Sequence, residues 1–172
     1  AVGGCPNMCV KPDLNDLGIV GQRVPQVDLE KCRACKVCQV VKTCPMGDAQ
    51  IGPDGKITID ESACNHCGRF VGACPFGAVT EGLAGYKVYI GGRWGKKVAH
   101  GRALDKIFTS EDEVMGLVER AILFFRDEGE SGERFADTVA RLGFDYVQEK
   151  LLTAPIDKDA ILKKEVKGGA TC

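Results

Sequence analysis

The sequence predicts an α+β protein in which a small cysteine-rich module, residues 27–81, is inserted between two flanking segments, residues 1–26 and 82–172. Three observations lead there. Seven of the ten cysteines fall within 27–81. That segment repeats itself with a period of about 30 residues. After it the pattern turns first to a strand and then to helical spacing.

The repeat is visible residue by residue. Val27-Asp28-Leu29 precedes Cys32, and Ile57-Thr58-Ile59-Asp60 precedes Cys64. Each short β-like run leads into a Cys-x2-Cys loop, and each half closes on Cys-Pro, at Cys44-Pro45 and Cys74-Pro75. Gly52-Pro53-Asp54-Gly55 reads as the turn between the halves. In the first half Cys32, Cys35 and Cys38 have two residues between neighbours. A 4Fe–4S cube needs four thiolates, and a tight loop can deliver three of them. This is the spacing of a bacterial-type two-cluster ferredoxin, in which the cysteine before proline ligates the other cube. Cys32, Cys35, Cys38 and Cys74 are therefore expected to hold one 4Fe–4S cluster.

The second site departs from that pattern. Cys64 and Cys67 begin a second loop, but the third position is Phe70. With Cys44 crossing over, three thiolates remain. The open alternatives are a cube with water or a non-cysteine ligand, a three-iron cluster, or a site without metal. His66 is expected to project away from it. Five residues separate Cys38 from Cys44, where the simple ferredoxin run has three. Zinc is the competing metal for Cys-x2-Cys pairs. The third cysteine, the Cys-Pro endings and the duplicated halves argue for iron–sulfur.

In the last segment, Tyr86-Lys87-Val88-Tyr89-Ile90 reads as a strand ending at Gly91-Gly92. A helix is expected after Thr109, with Ser110 as N-cap and Glu113 closing a capping box. Its apolar face would carry Val114, Leu117, Val118, Ala121, Ile122 and Phe125, and Gly129 would end it. Further helices are expected from about Gly132 to Leu142 and from Tyr146 to Leu152, before Pro155. The charged tail past Ala154 is expected to be loosely held, and Cys172 to be a free thiol. Met8 and Trp94 are read as packing residues, and His100 as a surface residue.

Composition narrows the function. The formal net charge of −1 gives no reason to expect nucleic acid or an anionic membrane as partner. No apolar run reaches membrane-spanning length, so membrane insertion is not expected. Clustered cysteines in a chain without a signal-peptide pattern suggest a reducing, cytoplasmic compartment. The chain opens at Ala1, four residues before a cysteine motif, and so reads as a piece of a longer polypeptide.

The flanks add a resemblance. Gly4-Cys5-Pro6-Asn7-Met8-Cys9, the Gly-rich run to Gly21, the strand ending in Gly91-Gly92 and the stretch Gly132-Glu133-Arg134-Phe135-Ala136-Asp137-Thr138 resemble the C-terminal part of sirohaem-containing sulfite and nitrite reductases. The resemblance covers roughly residues 1–24 and 83–150, with the ferredoxin module inserted as in the dissimilatory and anaerobic sulfite reductases. It implies a nitrite/sulfite reductase fold and a sirohaem coupled to its own 4Fe–4S cluster. By position, Cys5 would ligate that cluster and Cys9 would bridge it to the sirohaem iron. Gly91, Gly92 and Arg93 would lie toward the cofactor, within a basic stretch continued by Lys96, Lys97, Arg102 and Lys106. The family's upstream Cys-x5-Cys and its sulfite-binding basic residues have no counterpart in this sequence. The implied partners are the remaining half or other subunits of the reductase and an electron-donor protein. The chain alone is expected to relay electrons without reducing sulfite. The alternatives are a free-standing ferredoxin-type electron carrier and a zinc-stapled structural module.

Overall fold

The computed structural model describes residues 1–7 and 9–153. Expectations for Met8, the charged tail and Cys172 lie outside the described residues. The element order is β1 (Val2–Gly3), a 3-10 turn (Pro12–Leu14), β2 (Leu17–Val27), α1 (Gln39–Thr43), β3 (Ala49–Ile51), β4 (Ile57–Ile59), β5 (Val79–Ile90), β6 (Arg102–Phe108), α2 (Glu111–Glu128), α3 (Phe135–Leu142) and α4 (Phe144–Thr153). One sheet has the order β1-β2-β5-β6, and β3 and β4 form a separate pair. The mixture confirms the α+β class. No helix among the described residues is long and apolar enough to cross a membrane.

The chain divides into two compact units. One comprises residues 1–2, 10–19 and 87–172, and the other residues 3–9 and 20–86.

The first unit holds α2, α3 and α4. Ser110 caps α2 by accepting from the Glu113 N–H at 3.2 Å, and the Glu113 carboxylate accepts from the Thr109 N–H at 2.9 Å. The expected box is present, with its return bond reaching Thr109 rather than Ser110. Acidic Glu111, Asp112 and Glu113 in the first turn suit the positive end of the helix dipole. Gly129 ends the helix as expected. Val114, Leu117 and Ala121 face inward, but Ile122 is 60% exposed and Leu123 takes its place in the core. Ile122 instead rims a groove with Leu17, Phe125 and Phe135, so the apolar stripe is split between core and groove. The helix α3 begins at Phe135, not Gly132, because Glu133 is committed to a turn: its carboxylate accepts from the Glu130 N–H, the Thr138 hydroxyl and the Arg141 guanidinium. The helix ends at Leu142, before Gly143. Arg102 lies 4.0 Å over the Phe144 ring at the start of α4.

The second unit is built on the β3–β4 hairpin. The strands pair antiparallel, Ala49 with Ile59 and Ile51 with Ile57. The turn expected at Gly52–Gly55 is present, closed by Gly52 N–H to Lys56 C=O at 2.8 Å and helped by the Asp54 carboxylate on the Lys56 N–H. The core is Val40, Ala49, Ile57, Phe70 and Val79. Two strand expectations change. Val27 ends the long strand β2 instead of opening a strand before Cys32, and Tyr86–Ile90 is only the last part of β5. Glycines at 18, 21, 82 and 85 interrupt the β pattern in sequence, and backbone pairing carries both strands through them.

Candidate metal centre

Two matching turns position the two Cys-x2-Cys loops. The Asp28 carboxylate accepts from the Glu30 N–H at 3.0 Å and the Lys31 N–H at 3.3 Å. The Asp60 carboxylate accepts from the Ser62 N–H at 3.0 Å and the Ala63 N–H at 3.3 Å. Each aspartate stands four residues before the first cysteine of its loop and sets the bend that aims it. Hydrogen bonding holds both carboxyls below the usual range, first through the Lys31 side chain for Asp28 and the Ser62 hydroxyl for Asp60. The middle of each loop turns through the left-handed region at equivalent residues, Ala34 with φ 48° and His66 with φ 55°.

The halves are tied across each other at the Cys-Pro corners. The Asp28 N–H donates to the Ala78 carbonyl at 2.8 Å, and the Asp60 N–H to the Asp48 carbonyl at 2.9 Å. Ala78 lies four residues after Cys74, and Asp48 four residues after Cys44.

The side chains follow from these turns. Cys32, Cys38, Cys44, Cys64 and Cys74 all pack against the one apolar core around Phe70. Cys35 is exposed at the loop tip, and no disulfide joins any of the nine described cysteines. Phe70 is 2% exposed, so the position where a third thiol would stand in the second loop is a core side chain. Among the described residues, no three His, Cys, Asp or Glu groups close around a single metal ion.

The electrostatics differ between the halves. Burial pushes the Cys44 thiol up, but backbone N–H groups of Ala49, Met46, Asp48 and Gly47 together outweigh it and hold the thiol below its ordinary value. That arrangement favours a thiolate, the form that binds iron. Burial pushes the Cys64 thiol up, opposed by the His66 N–H and reinforced by the charges of Asp48, Cys67 and Cys44. Cys64 thus lies close enough to Cys44 and Cys67 for their charges to act on it. Four soft sulfur donors from two loops suit an iron–sulfur cube at the first site.

The amino-terminal motif meets the second loop. Asn65, between Cys64 and Cys67, donates its amide to the Asn7 side chain at 3.1 Å, and Asn7 lies between Cys5 and Cys9. Asn65 also accepts from the Cys67 N–H at 3.2 Å. Cys5 is half-buried and Cys9 exposed.

Gly91, Gly92 and Arg93 belong to the first unit. Their packing there is specific. Gly91 has φ +77°, and a Cβ on Gly92 would lie 2.3 Å from the Asp13 carbonyl oxygen, so close backbone packing already requires glycine at 92. Arg93 donates to both carboxylate oxygens of Asp137 at 2.8 Å. Of the other basic residues, Lys106 pairs with Glu113 at 2.9 Å, while Lys96 and Lys97 are exposed. His100 is a surface residue hydrogen-bonded to Asp13 at 2.7 Å. Trp94 is 67% exposed; it is not the packing residue that its size suggested.

Comparison with known proteins gives the family. The description "Nitrite and sulphite reductase 4Fe-4S domain" matches residues 1–158. The chain belongs to that family. It is 30% identical over 168 residues, 96% of this chain, to the coenzyme F420-dependent sulfite reductase of Methanocaldococcus jannaschii, and it spans a quarter of the length of that relative. The crystal structure of dissimilatory sulfite reductase I shares its fold, with a TM-score of 0.59 and 23% identity over 90% of this chain and 42% of that one. The chain is thus an iron–sulfur part of a sulfite/nitrite reductase type.

The sequence reading passed over Asp28, Asp48 and Asp60. Writing the two halves one under the other, Cys44-Pro-Met-Gly-Asp48 over Cys74-Pro-Phe-Gly-Ala78, would have drawn attention to Asp48.

Proposed function

We propose that this chain relays single electrons, through clusters in residues 27–81, to a sirohaem–4Fe–4S centre of a sulfite or nitrite reductase. The carrying observation is the Asn65–Asn7 hydrogen bond, which fastens the second Cys-x2-Cys loop to the Cys5–Cys9 motif. A cluster held at one loop is thereby next to a cluster ligated at the other. Cys32, Cys35, Cys38 and Cys74 hold the first cube. Cys5 and Cys9 would hold the sirohaem-coupled cluster. The group so held supplies stepwise reduction of a bound oxyanion.

This chain's own residues shape the route. The Asx turns at Asp28 and Asp60 fix the loops before metal arrives. Backbone N–H groups around Cys44 stabilise negative charge on sulfur, which raises the potential of a cluster bound there. The apolar core beneath the thiols limits water and tunes the potential further. Arg93, held by Asp137 beside the Gly91-Gly92 turn, would offer a fixed positive charge to a carboxylate-bearing macrocycle. The partners are the rest of the reductase and a protein that donates electrons.

Anaerobic reconstitution with iron and sulfide tests the reading. The chain should turn brown, contain acid-labile sulfide, bleach on reduction and produce no sulfide from sulfite by itself. Zinc without labile sulfide would leave the structural-module alternative standing. Clusters with an unreactive Cys5–Cys9 pair in the assembled reductase would favour a free-standing carrier.

A further inference from the structure

The pseudo-twofold arrangement of the module makes the two metal sites comparable position by position. Cys32-x2-Cys35-x2-Cys38 with Cys74 matches Cys64-x2-Cys67-x2-Phe70 with Cys44. The first set has four thiols and the second has three. Apart from the helix α1 between Cys38 and Cys44, the same backbone features set both: Asx turns at Asp28 and Asp60, left-handed residues at Ala34 and His66, and cross-half bonds from Asp28 to Ala78 and from Asp60 to Asp48.

Within this frame, a substitution at the Cys-Pro corner accompanies the missing thiol. The residue four after the Cys-Pro cysteine is Ala78 beside the complete set and Asp48 beside the incomplete one. Ala78 is 1% exposed, so this position is an interior one in the half where a methyl group fills it. Asp48 is half-buried. Its backbone N–H is among those directed at the Cys44 sulfur. Its backbone is tied to Asp60, and the Asp60 carbonyl accepts from the Cys64 N–H at 2.9 Å. Asp48 is therefore tied by its backbone to the turn that aims Cys64 and stands four residues from Cys44, in the half where no fourth thiol exists. Phe70, buried in the core, leaves the third loop position without any donor atom.

We propose that Cys44, Cys64 and Cys67 hold a second cubane cluster whose fourth iron is bound by the carboxylate of Asp48. The inference rests on the iron–sulfur reading above and extends it to a site of mixed ligation. An oxygen ligand is harder than thiolate and binds that one iron less tightly. The corner is consequently labile. On mild oxidation the 4Fe–4S(2+) core releases Fe(2+) and one electron, which ferricyanide accepts, leaving 3Fe–4S(+). One-electron reduction by dithionite gives the neutral three-iron core, and added Fe(2+) rebuilds 4Fe–4S(2+).

The test uses the whole chain, anaerobically reconstituted and desalted, with iron and sulfide counted and spectra recorded without any activity assay. Wild type should contain about eight irons, as two four-iron cubes require. Its Mössbauer spectrum should show one iron distinct from the thiolate-bound ones. Ferricyanide should produce the near-isotropic EPR signal of a three-iron cluster, reversed by dithionite and Fe(2+). Asp48→Asn keeps the side-chain shape and the backbone N–H bonds to Cys44 sulfur, so it should fold. It should hold about seven irons and show the three-iron signal without oxidant. Asp48→Cys should hold the full complement and resist ferricyanide.

Wild type with four irons and labile sulfide would overturn the inference while leaving the electron-relay reading intact. Equal iron contents and equal ferricyanide sensitivity in wild type and Asp48→Asn would remove Asp48 from the site. No labile sulfide at all would defeat the relay reading itself.

Discussion

Replacing Phe70 by alanine tests whether the missing third thiol has been exchanged for core. The side chain is 2% exposed and is one of five buried residues at the centre of its unit. Withdrawing a buried phenyl ring from water is worth ~1.5–3 kcal/mol. The cavity left behind raises the loss to ~3–5 kcal/mol. That is a large share of the ~5–15 kcal/mol by which domains are stable. With a urea slope of ~1.5 kcal/mol/M, the midpoint should fall by about 2–3 M. Two signals separate the parts of the chain. Visible cluster absorbance reports the unit of residues 20–86, and the far-ultraviolet helix band reports mainly α2, α3 and α4, which belong to the other. Anaerobic urea titration of reconstituted protein should show the early loss in cluster absorbance. A midpoint within about 0.5 M of wild type would mean that Phe70 supports nothing, and the account of the core would be wrong.

Other outcomes follow from single contacts. Ser110→Ala removes the acceptor for the Glu113 N–H and should cost about 1 kcal/mol, lowering the Tm seen by circular dichroism by about 2–4 °C. Glu113, held chiefly by the Lys106 ammonium, and Glu133, held chiefly by the Arg141 guanidinium, both have carboxyl pKa values lowered from 4.5 to about 2. Their folded values lie below the unfolded ones, so their stabilisation is present above pH 4.5 and is lost as pH falls toward about 2. The acid limb of a stability–pH curve should be shallower in Glu133→Gln, and an unchanged limb would refute the assignment. Gly92→Ala forces a methyl group onto the Asp13 carbonyl and should destabilise by about 1–3 kcal/mol in a chain without any cofactor, as thermal unfolding would show.

Much of this was legible in the sequence where local chemistry decides structure. Ser110 and Gly129 mark both ends of α2, Gly52–Gly55 marks its turn, and the cysteine spacing marks the loops that carry the thiols. Reading failed where tertiary pairing overrides the local pattern. Strand β6 is hidden because Arg102 and Lys106 stand on the same face as buried Leu104 and Phe108 and break the apolar alternation. The length of β2 is hidden by its glycines. Ile122 obeys helical spacing yet lies on the groove side, because a stripe as wide as that of α2 exceeds what the core can cover. The role of Asp48 is invisible in a single pass along the chain, since it is defined only by comparison with Ala78 in the other half.

The crossed bonds from Asp28 to Ala78 and from Asp60 to Asp48 make the two halves of the module mutual templates. The bend that aims one loop is anchored on the corner that closes the other. Residues 27–51 excised alone would lose the partner for the Asp28 N–H, and residues 57–81 would lose that for Asp60. A half cut at the Gly52–Gly55 turn is accordingly no portable cluster peptide, and any redesign that transplants one site has to carry both.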